Sequence, residues 1–327
     1  MDDATQITLL SMWHHRDNTT QVATRDEVRG SLEHRDLPGD PPFEALVEQG
    51  LAEAVEGGWQ LTAAGMEIAP GLLHTRARDS FDANMVENVE SAASRALSKR
   101  ISGMDAFCFN ILDTAQMRRT VEVLELSAGQ RFADLGCAVG TLTDLISRES
   151  GATGVGLDFA PRSVAWANAH SADNPLVSFR VGDLNHLELE PAAYDALVAI
   201  DTLYFPTDRK QTVKTAFEAL APGGRFVAWY SCRRDPDEDP AIIDAANTPI
   251  AQAFDELGAT WSAEDFTANA HTLWARAVEA TRDLLPAFEA EGRGQQGRGR
   301  LREAEALLPF YDAGRGRRWL YVARKPA

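Results

Sequence analysis

The stretch Arg131-Phe-Ala-Asp-Leu-Gly-Cys-Ala-Val-Gly140 decides the fold. A short apolar run at 132–135 carries Asp134 and passes into a glycine-containing turn, and a helical pattern at 141–148 follows at once. Strand, tight loop and helix in that order open a βαβ unit. Gly136 and Gly140 read as points where the backbone approaches a ligand that any Cβ would block. Asp134 falls at the carboxyl end of the strand, where open α/β sheets bind ligands. A pyrophosphate-binding turn needs Gly-x-Gly-x-x-Gly. Here the spacing is Asp-x-Gly-x-x-x-Gly, and the leading acid repels a pyrophosphate and suits a cation.

Further landmarks follow in register. Residues 155–157 form a short apolar strand ending in Asp158, whose carboxylate can accept from both hydroxyls of a ribose. Residues 177–181 form a strand followed by Gly182-Asp183-Leu184-Asn185. Residues 194–201 read as a fourth strand, running into Asp201-Thr-Leu-Tyr-Phe205. Ala221-Pro-Gly-Gly-Arg225 is a turn that leads into a strand at 226–230.

With Asp-Leu-Gly-Cys-Ala-Val-Gly at their head, these motifs resemble the class I S-adenosylmethionine-dependent methyltransferases, well over 114–234 and loosely elsewhere. Ala138 departs from the family's middle glycine, and an alanine asks that position to avoid positive φ. The resemblance implies an α/β fold with a Rossmann-like, doubly wound, seven-stranded sheet. It implies a cofactor site of Asp134, Gly136, Ala138, Gly140, Asp158, Phe159, Asp183, Leu184 and Ile200, with Asp183 and the next backbone N–H meeting the adenine. The cofactor is S-adenosylmethionine and the product S-adenosylhomocysteine. The segment before the first motif lies over the cleft in that family, so Phe107, Asn110 and Gln116 are candidates to touch cofactor or acceptor, with packing as the alternative.

The first 80 residues read as a separate domain. Helical spacing occurs at 5–15, 25–32 (with Thr24 as N-cap) and 43–49, then two short strands flank Gly57-Gly58, a hairpin signal. Leu46-Val-Glu-Gln-Gly-Leu51 and Leu61-Thr-x-x-Gly65 resemble a winged-helix domain. The helix that would enter a DNA groove carries Glu44 and Glu48, and the wing carries Glu53 and Glu56, the wrong sign for phosphates. Small-molecule O-methyltransferases place a winged-helix domain ahead of this fold and dimerise through it, so the resemblance implies dimerisation or substrate lining. The alternative is an S-adenosylmethionine-sensing regulator with a DNA-binding winged helix. Asp40-Pro-Pro-Phe43 matches a motif of amino-group methyltransferases, but the Pro pair here reads as a helix start.

The remainder reads as connecting helices at 81–130, with one amphipathic helix at 107–124, and a methyltransferase domain at 131–327. Within that domain a helix is expected at 240–257 and a strand at 261–266. A helical cap is expected at about 268–316, with a long helix from 271 to 291 capped by Thr267 or Asn269. Residues 292–299, rich in Gly and Arg, read as a flexible loop whose Arg293, Arg298, Arg300 or Arg302 either is solvated or meets an anionic substrate group. A helix at 301–308 and a strand at 318–324 close the chain.

Catalytic candidates are Asp201, Tyr204 and His271, with Glu303 behind them. Tyr204, Tyr230, Phe107, Asn110, His271 and Trp274 are the substrate candidates. His271 and Trp274 are expected on one face of their helix. The plant-type O-methyltransferases keep a His after the fifth strand, where this chain has Ser231-Cys232-Arg233. No metal-binding spacing is present: His14-His15 would diverge on a helix.

The chain has 327 residues and a net charge of −17, which lowers the expectation of nucleic acid or anionic membrane as partner. Three widely spaced cysteines, an acidic N-terminus without a signal-peptide pattern and no long apolar run point to a cytoplasmic protein. The expected partners are a small-molecule substrate and a second copy of the chain.

Overall fold

The near-continuous apolar runs at 132–135 and 194–200 have the pattern of strands covered on both faces. A computed structural model of the chain places them at the centre of a seven-stranded sheet. The structure describes every residue except 15–18, 21, 34–36, 38 and 327. His15, named above with His14, therefore lies outside the described residues.

Two compact units divide at Asp79/Ser80. The first contains α1 (Asp3–Met12), β1 (Trp13–His14), β2 (Thr19–Thr20), α2 (Arg25–Glu33), α3 (Phe43–Glu48), β3 (Ala52–Val55) and β4 (Gly58–Leu61). Its small core gathers Leu9, Met12, Val28, Phe43, Leu46 and Leu61. Trp59 stacks on Phe43 at 4.1 Å, with the Arg25 guanidinium over both rings. Val55 pairs with Gly58, and Gly57, at φ 89°, supplies the left-handed residue of the two-residue β3–β4 turn between them. The unit boundary falls inside α4 (Ala63–Glu90), a single helix that runs across the expected border at residue 80 into the expected connector.

The second unit continues with α5 (Ala92–Ser102), α6 (Thr114–Leu124), β5 (Arg131–Leu135), α7 (Thr141–Ser150), β6 (Thr153–Asp158), α8 (Pro161–His170) and β7 (Val177–Val181). It then runs through β8 (Tyr194–Ile200), α9 (Arg209–Glu218), β9 (Leu220–Arg233), α10 (Pro249–Glu256), β10 (Thr260–Asp265), α11 (Thr267–Ala290), α12 (Gly294–Asp312) and β11 (Gly316–Arg324). The strand order is β10-β11-β9-β8-β5-β6-β7. β11 alone runs antiparallel to its neighbours. Chain order reverses between β5 and β8, so the crevice of this doubly wound sheet opens at their carboxyl ends. One apolar layer packs Met117, Leu124, Phe132, Ile146 and Trp229 together. Another packs Leu197, Val213, Phe217, Phe226, Phe254 and Tyr321.

Several local expectations are corrected. Residues 107–113 are not helical: α5 ends at Gly103 in the left-handed region, and Asp113 caps α6 by accepting from the Gln116 N–H at 2.7 Å. Residues 240–247 form two 3-10 turns, and Thr248 and Pro249 then start α10. Neither Thr267 nor Asn269 caps α11. Thr267 Oγ1 accepts from the Arg318 N–H and Asn269 donates to Asp113. The Gly/Arg stretch at 292–299 is mostly the first turns of α12 rather than a loop. Packing overrides its weak helix propensity: Gly297 seats against the buried Phe288 ring, where an added Cβ would meet it at 2.9 Å.

Candidate functional site

The loop between β5 and α7 is built from left-handed residues: Gly136, Ala138 and Gly140 have φ of 87°, 49° and 74°. The expectation that alanine would avoid positive φ is therefore wrong. Ala138 is held there because its N–H donates to Asp158 Oδ2 at 2.8 Å. The two glycines also have a packing role. A Cβ on Gly136 would run into Thr202 and one on Gly140 into Phe179, so their missing side chains accommodate neighbouring protein as well as the turn.

Three acids stand at successive strand ends. Asp134 near the end of β5 is buried and accepts from Thr143 Oγ1 at 2.6 Å. Burial pushes its carboxyl up to about 7, against that hydrogen bond, and the neighbouring Asp158 charge adds to the rise. Asp158, the last residue of β6, is 7% exposed. Its Oδ1 accepts from the Ala160 N–H at 2.9 Å, so the carboxylate ties the β5–α7 loop to the start of α8. Burial raises its pKa, opposed by those two N–H groups. Asp183 follows β7 and holds a 3-10 turn through the Asn185 N–H at 2.8 Å, with Leu184 inside that turn. Phe159 directly follows the β6 acid and is half-buried.

The connector at 107–112 crosses these strand ends. The Phe107 carbonyl accepts from Thr141 Oγ1 at the start of α7. Asn110 donates to the carbonyl of Ile200, the last residue of β8, at 3.4 Å. These contacts bring Phe107, Asn110 and Ile200 to the same edge as the acids. Gln116 goes elsewhere, into the network described next.

The catalytic candidates are engaged in a buried network. Asp201 has φ 56°, a left-handed conformation just past β8. Both its oxygens meet Arg318, at 2.7 and 2.9 Å. Arg318, on β11, is fully buried and also donates to Gln116 Oε1 at 2.8 Å and Ser231 Oγ at 2.9 Å. Its guanidinium lies 5.0 Å from the Trp229 ring centre. Tyr204 donates to Asp201 at 2.9 Å, accepts from the Ser231 N–H at 2.6 Å and packs against Tyr230 at 5.0 Å. Burial and the Asp201 charge push its phenol well above the ordinary value. Tyr311 on α12 joins through Ser231 and Trp274.

His271 and Trp274 do not share a face, which corrects the expectation. His271 is exposed and pairs with Asp312 at 2.7 Å, whereas Trp274 is buried in the apolar core of α5, α11 and α12. Trp274 thus packs in that core and also meets Tyr311 of the Asp201 network, and nothing in the surroundings of His271 brings it to the strand ends. Glu303 pairs with Arg300, Arg293 with Glu87, and Arg298 with Glu289. Arg300 also donates to the Phe109 carbonyl and lies over that ring. Sequence reasoning missed Arg318 altogether. Its signal, an arginine among arginines at 315–318, reads as a solvated cluster.

Comparison with known proteins agrees with this geometry. Residues 133–228 match the methyltransferase domain family model. An uncharacterised transposon-encoded protein of Streptomyces fradiae is 27% identical over 59% of this chain and 53% of its own length. Methyltransferase GfsG of Streptomyces halstedii is 32% identical over 32% of this chain and 39% of its own. The chain thus spans about half the length of the first of these relatives and less of the second. Among solved structures, Haemonchus contortus phosphoethanolamine N-methyltransferase 2, bound to phosphomonomethylethanolamine and S-adenosylhomocysteine, superposes with a TM-score of 0.62. That likeness, at 18% identity, covers 76% of this chain and 60% of the other, and it speaks to the fold. Motif spacing, strand order and the matched family model converge: the chain carries a class I S-adenosylmethionine-dependent methyltransferase domain, with residues 133–228 at its centre.

Proposed function

We propose that the protein transfers a methyl group from S-adenosylmethionine to a small-molecule acceptor by in-line displacement. The observation that carries the reading is the set of three acids, Asp134, Asp158 and Asp183, at successive strand ends around a left-handed loop at the sheet's switch point. Their chemistry fits the cofactor: Asp158 suits a ribose diol and Asp183 suits an adenine amino group, while Asp134, buried on Thr143, anchors the loop beside them. Phe159, Leu184 and Ile200 supply apolar wall. When bound, the sulfonium supplies an activated methyl group. The chain's own part is to hold the acceptor in line and keep water out, and orientation of this kind contributes up to about 7–11 kcal/mol.

The network around Asp201 argues for a reaction driven by alignment rather than by a strong base. Asp201 is bonded through both oxygens to Arg318, and Tyr204 is hydrogen-bonded at its hydroxyl and hard to ionise. An amine, or a hydroxyl that is already acidic, needs less help of that kind. Tyr204, Tyr230, Phe107 and Asn110 are assigned to the acceptor side. The first unit, with three helices and a hairpin, is read as a winged-helix-like module for dimerisation or substrate lining, because α3 and the hairpin carry Glu44, Glu48, Glu53 and Glu56. We place the protein in the cytoplasm on its cysteine usage; among the described residues no helix is long and apolar enough to cross a membrane.

Calorimetry with S-adenosylhomocysteine, followed by methyl transfer from labelled S-adenosylmethionine into a panel of small amines, phenols and carbon acids, tests the reading. Binding with transfer to one class is the expected result. Absence of binding to the intact chain would overturn it.

A further inference from the structure

The C-terminal half of α4 lies over the same strand ends. Phe81, Met85 and Val89 recur at helical spacing on one face. Met85 and Val89 pack with Phe107 and Val139, directly above the β5–α7 loop. Phe81 meets Phe159 at 5.9 Å, Phe205 at 5.3 Å and Phe109 at 6.1 Å, ring centre to ring centre. Those three rings stand on three separate segments: after β6, after β8 and on the connector. Beside this face, Asp82 reaches the start of α8. Its Oδ1 accepts from the Arg162 N–H at 2.7 Å, and the Arg162 guanidinium donates to the Ala83 carbonyl at 3.1 Å. The helix has no side-chain cap of its own, because Ala160 stands at that position. An acceptor eighty residues away in the chain thus does the work of an N-cap.

The start of α8 matters because Asp158 is bound to it. The Ala160 N–H that fixes Asp158 Oδ1 lies two residues before Arg162. We propose that Asp82 is a cofactor-positioning residue, and that residues 81–85 form the outer wall of the cofactor cleft, which must lift for the nucleoside to exchange. The inference rests on the reading that this cleft takes S-adenosylmethionine. Through the start of α8, Asp82 holds the Asp158 turn in register with the loop at Ala138. Phe81 closes the mouth between the adenosine side, at Phe159, and the acceptor side, at Phe205.

The test uses the intact chain and S-adenosylhomocysteine as probe, with affinity from calorimetry and release rate from stopped-flow displacement well below the melting temperature. Asp82→Ala is expected to weaken binding about fivefold, the equivalent of a lost cap, with the change in the release rate. Asp82→Asn retains an acceptor oxygen for the Arg162 N–H and is expected to recover most of the affinity. Phe81→Ala is expected to speed release with a smaller change in affinity. Wild-type affinity and release in Asp82→Ala and Phe81→Ala, with only a lower melting temperature, would reduce the pair to fold stability and overturn the proposal. Asp82→Asn behaving like Asp82→Ala would equally overturn the positioning role. Failure of the wild-type chain to bind the probe would instead strike the cofactor reading itself.

Discussion

Replacing Arg318 with methionine keeps most of the buried stem volume and removes the charge. Arg318 is fully buried and makes two bonds to Asp201, one to Gln116 and one to Ser231. Without it, the Asp201 carboxylate, whose side chain is 11% exposed, keeps the Tyr204 hydroxyl but loses its counter-charge. Breaking a buried pair from one side costs about 3–5 kcal/mol. Removing both charges is much milder, because no uncompensated ion remains. Asn is also at home at the left-handed φ of position 201. The expected results are a loss of about 3–5 kcal/mol for Arg318→Met and about 1–2 kcal/mol for Arg318→Met with Asp201→Asn. Urea unfolding, followed by tryptophan fluorescence and far-UV circular dichroism together, measures both and reveals a separate transition of either unit. A single-variant loss below about 1 kcal/mol, or strict additivity of the two changes, would refute the claim that the pair is a coupled buried ion pair.

Ala138→Gly should relieve a left-handed alanine, whose strain of about 1–2 kcal/mol exceeds the added chain entropy of glycine, so the melting temperature is expected to rise slightly. Asp134 stays protonated in the folded chain to about pH 7, whereas an unfolded aspartate ionises near about 4. The folded state therefore holds the extra proton, and stability contributed by this group is present below the unfolded pKa and lost as pH rises towards 7. Asp134→Asn should flatten that part of the urea midpoint's pH profile. Asp158→Ala should weaken S-adenosylhomocysteine binding by about 1.5–3 kcal/mol and also lower the melting temperature of the ligand-free chain, since the carboxylate holds the Ala138 and Ala160 N–H groups. Calorimetry and thermal unfolding on the same samples check both parts.

The sheet was legible in the sequence because its signals are local. Apolar runs of strand length, each ending in an acid or a glycine turn, place β5, β6, β7 and β8 within a residue or two. The three acids Asp134, Asp158 and Asp183 are tied to those strand ends, so their neighbourhood follows from chain order. The Gly/Arg stretch misled for the same reason: its local propensity says loop, while its helix depends on a close fit to Phe288, which local composition does not encode.

What the sequence determined by itself is the doubly wound order of elements and the line of acids along one edge. Tertiary structure alone decided what those side chains do. Asp201 and Tyr204 read as a base and its neighbour, until a strand 117 residues further on delivers Arg318 between them and Gln116. Asp82 reads as one polar residue on a helix, until folding sets it against the uncapped start of α8. A buried charge or an orphan backbone N–H must find a partner wherever the fold supplies one, and that partner carries no mark of the distance in the sequence.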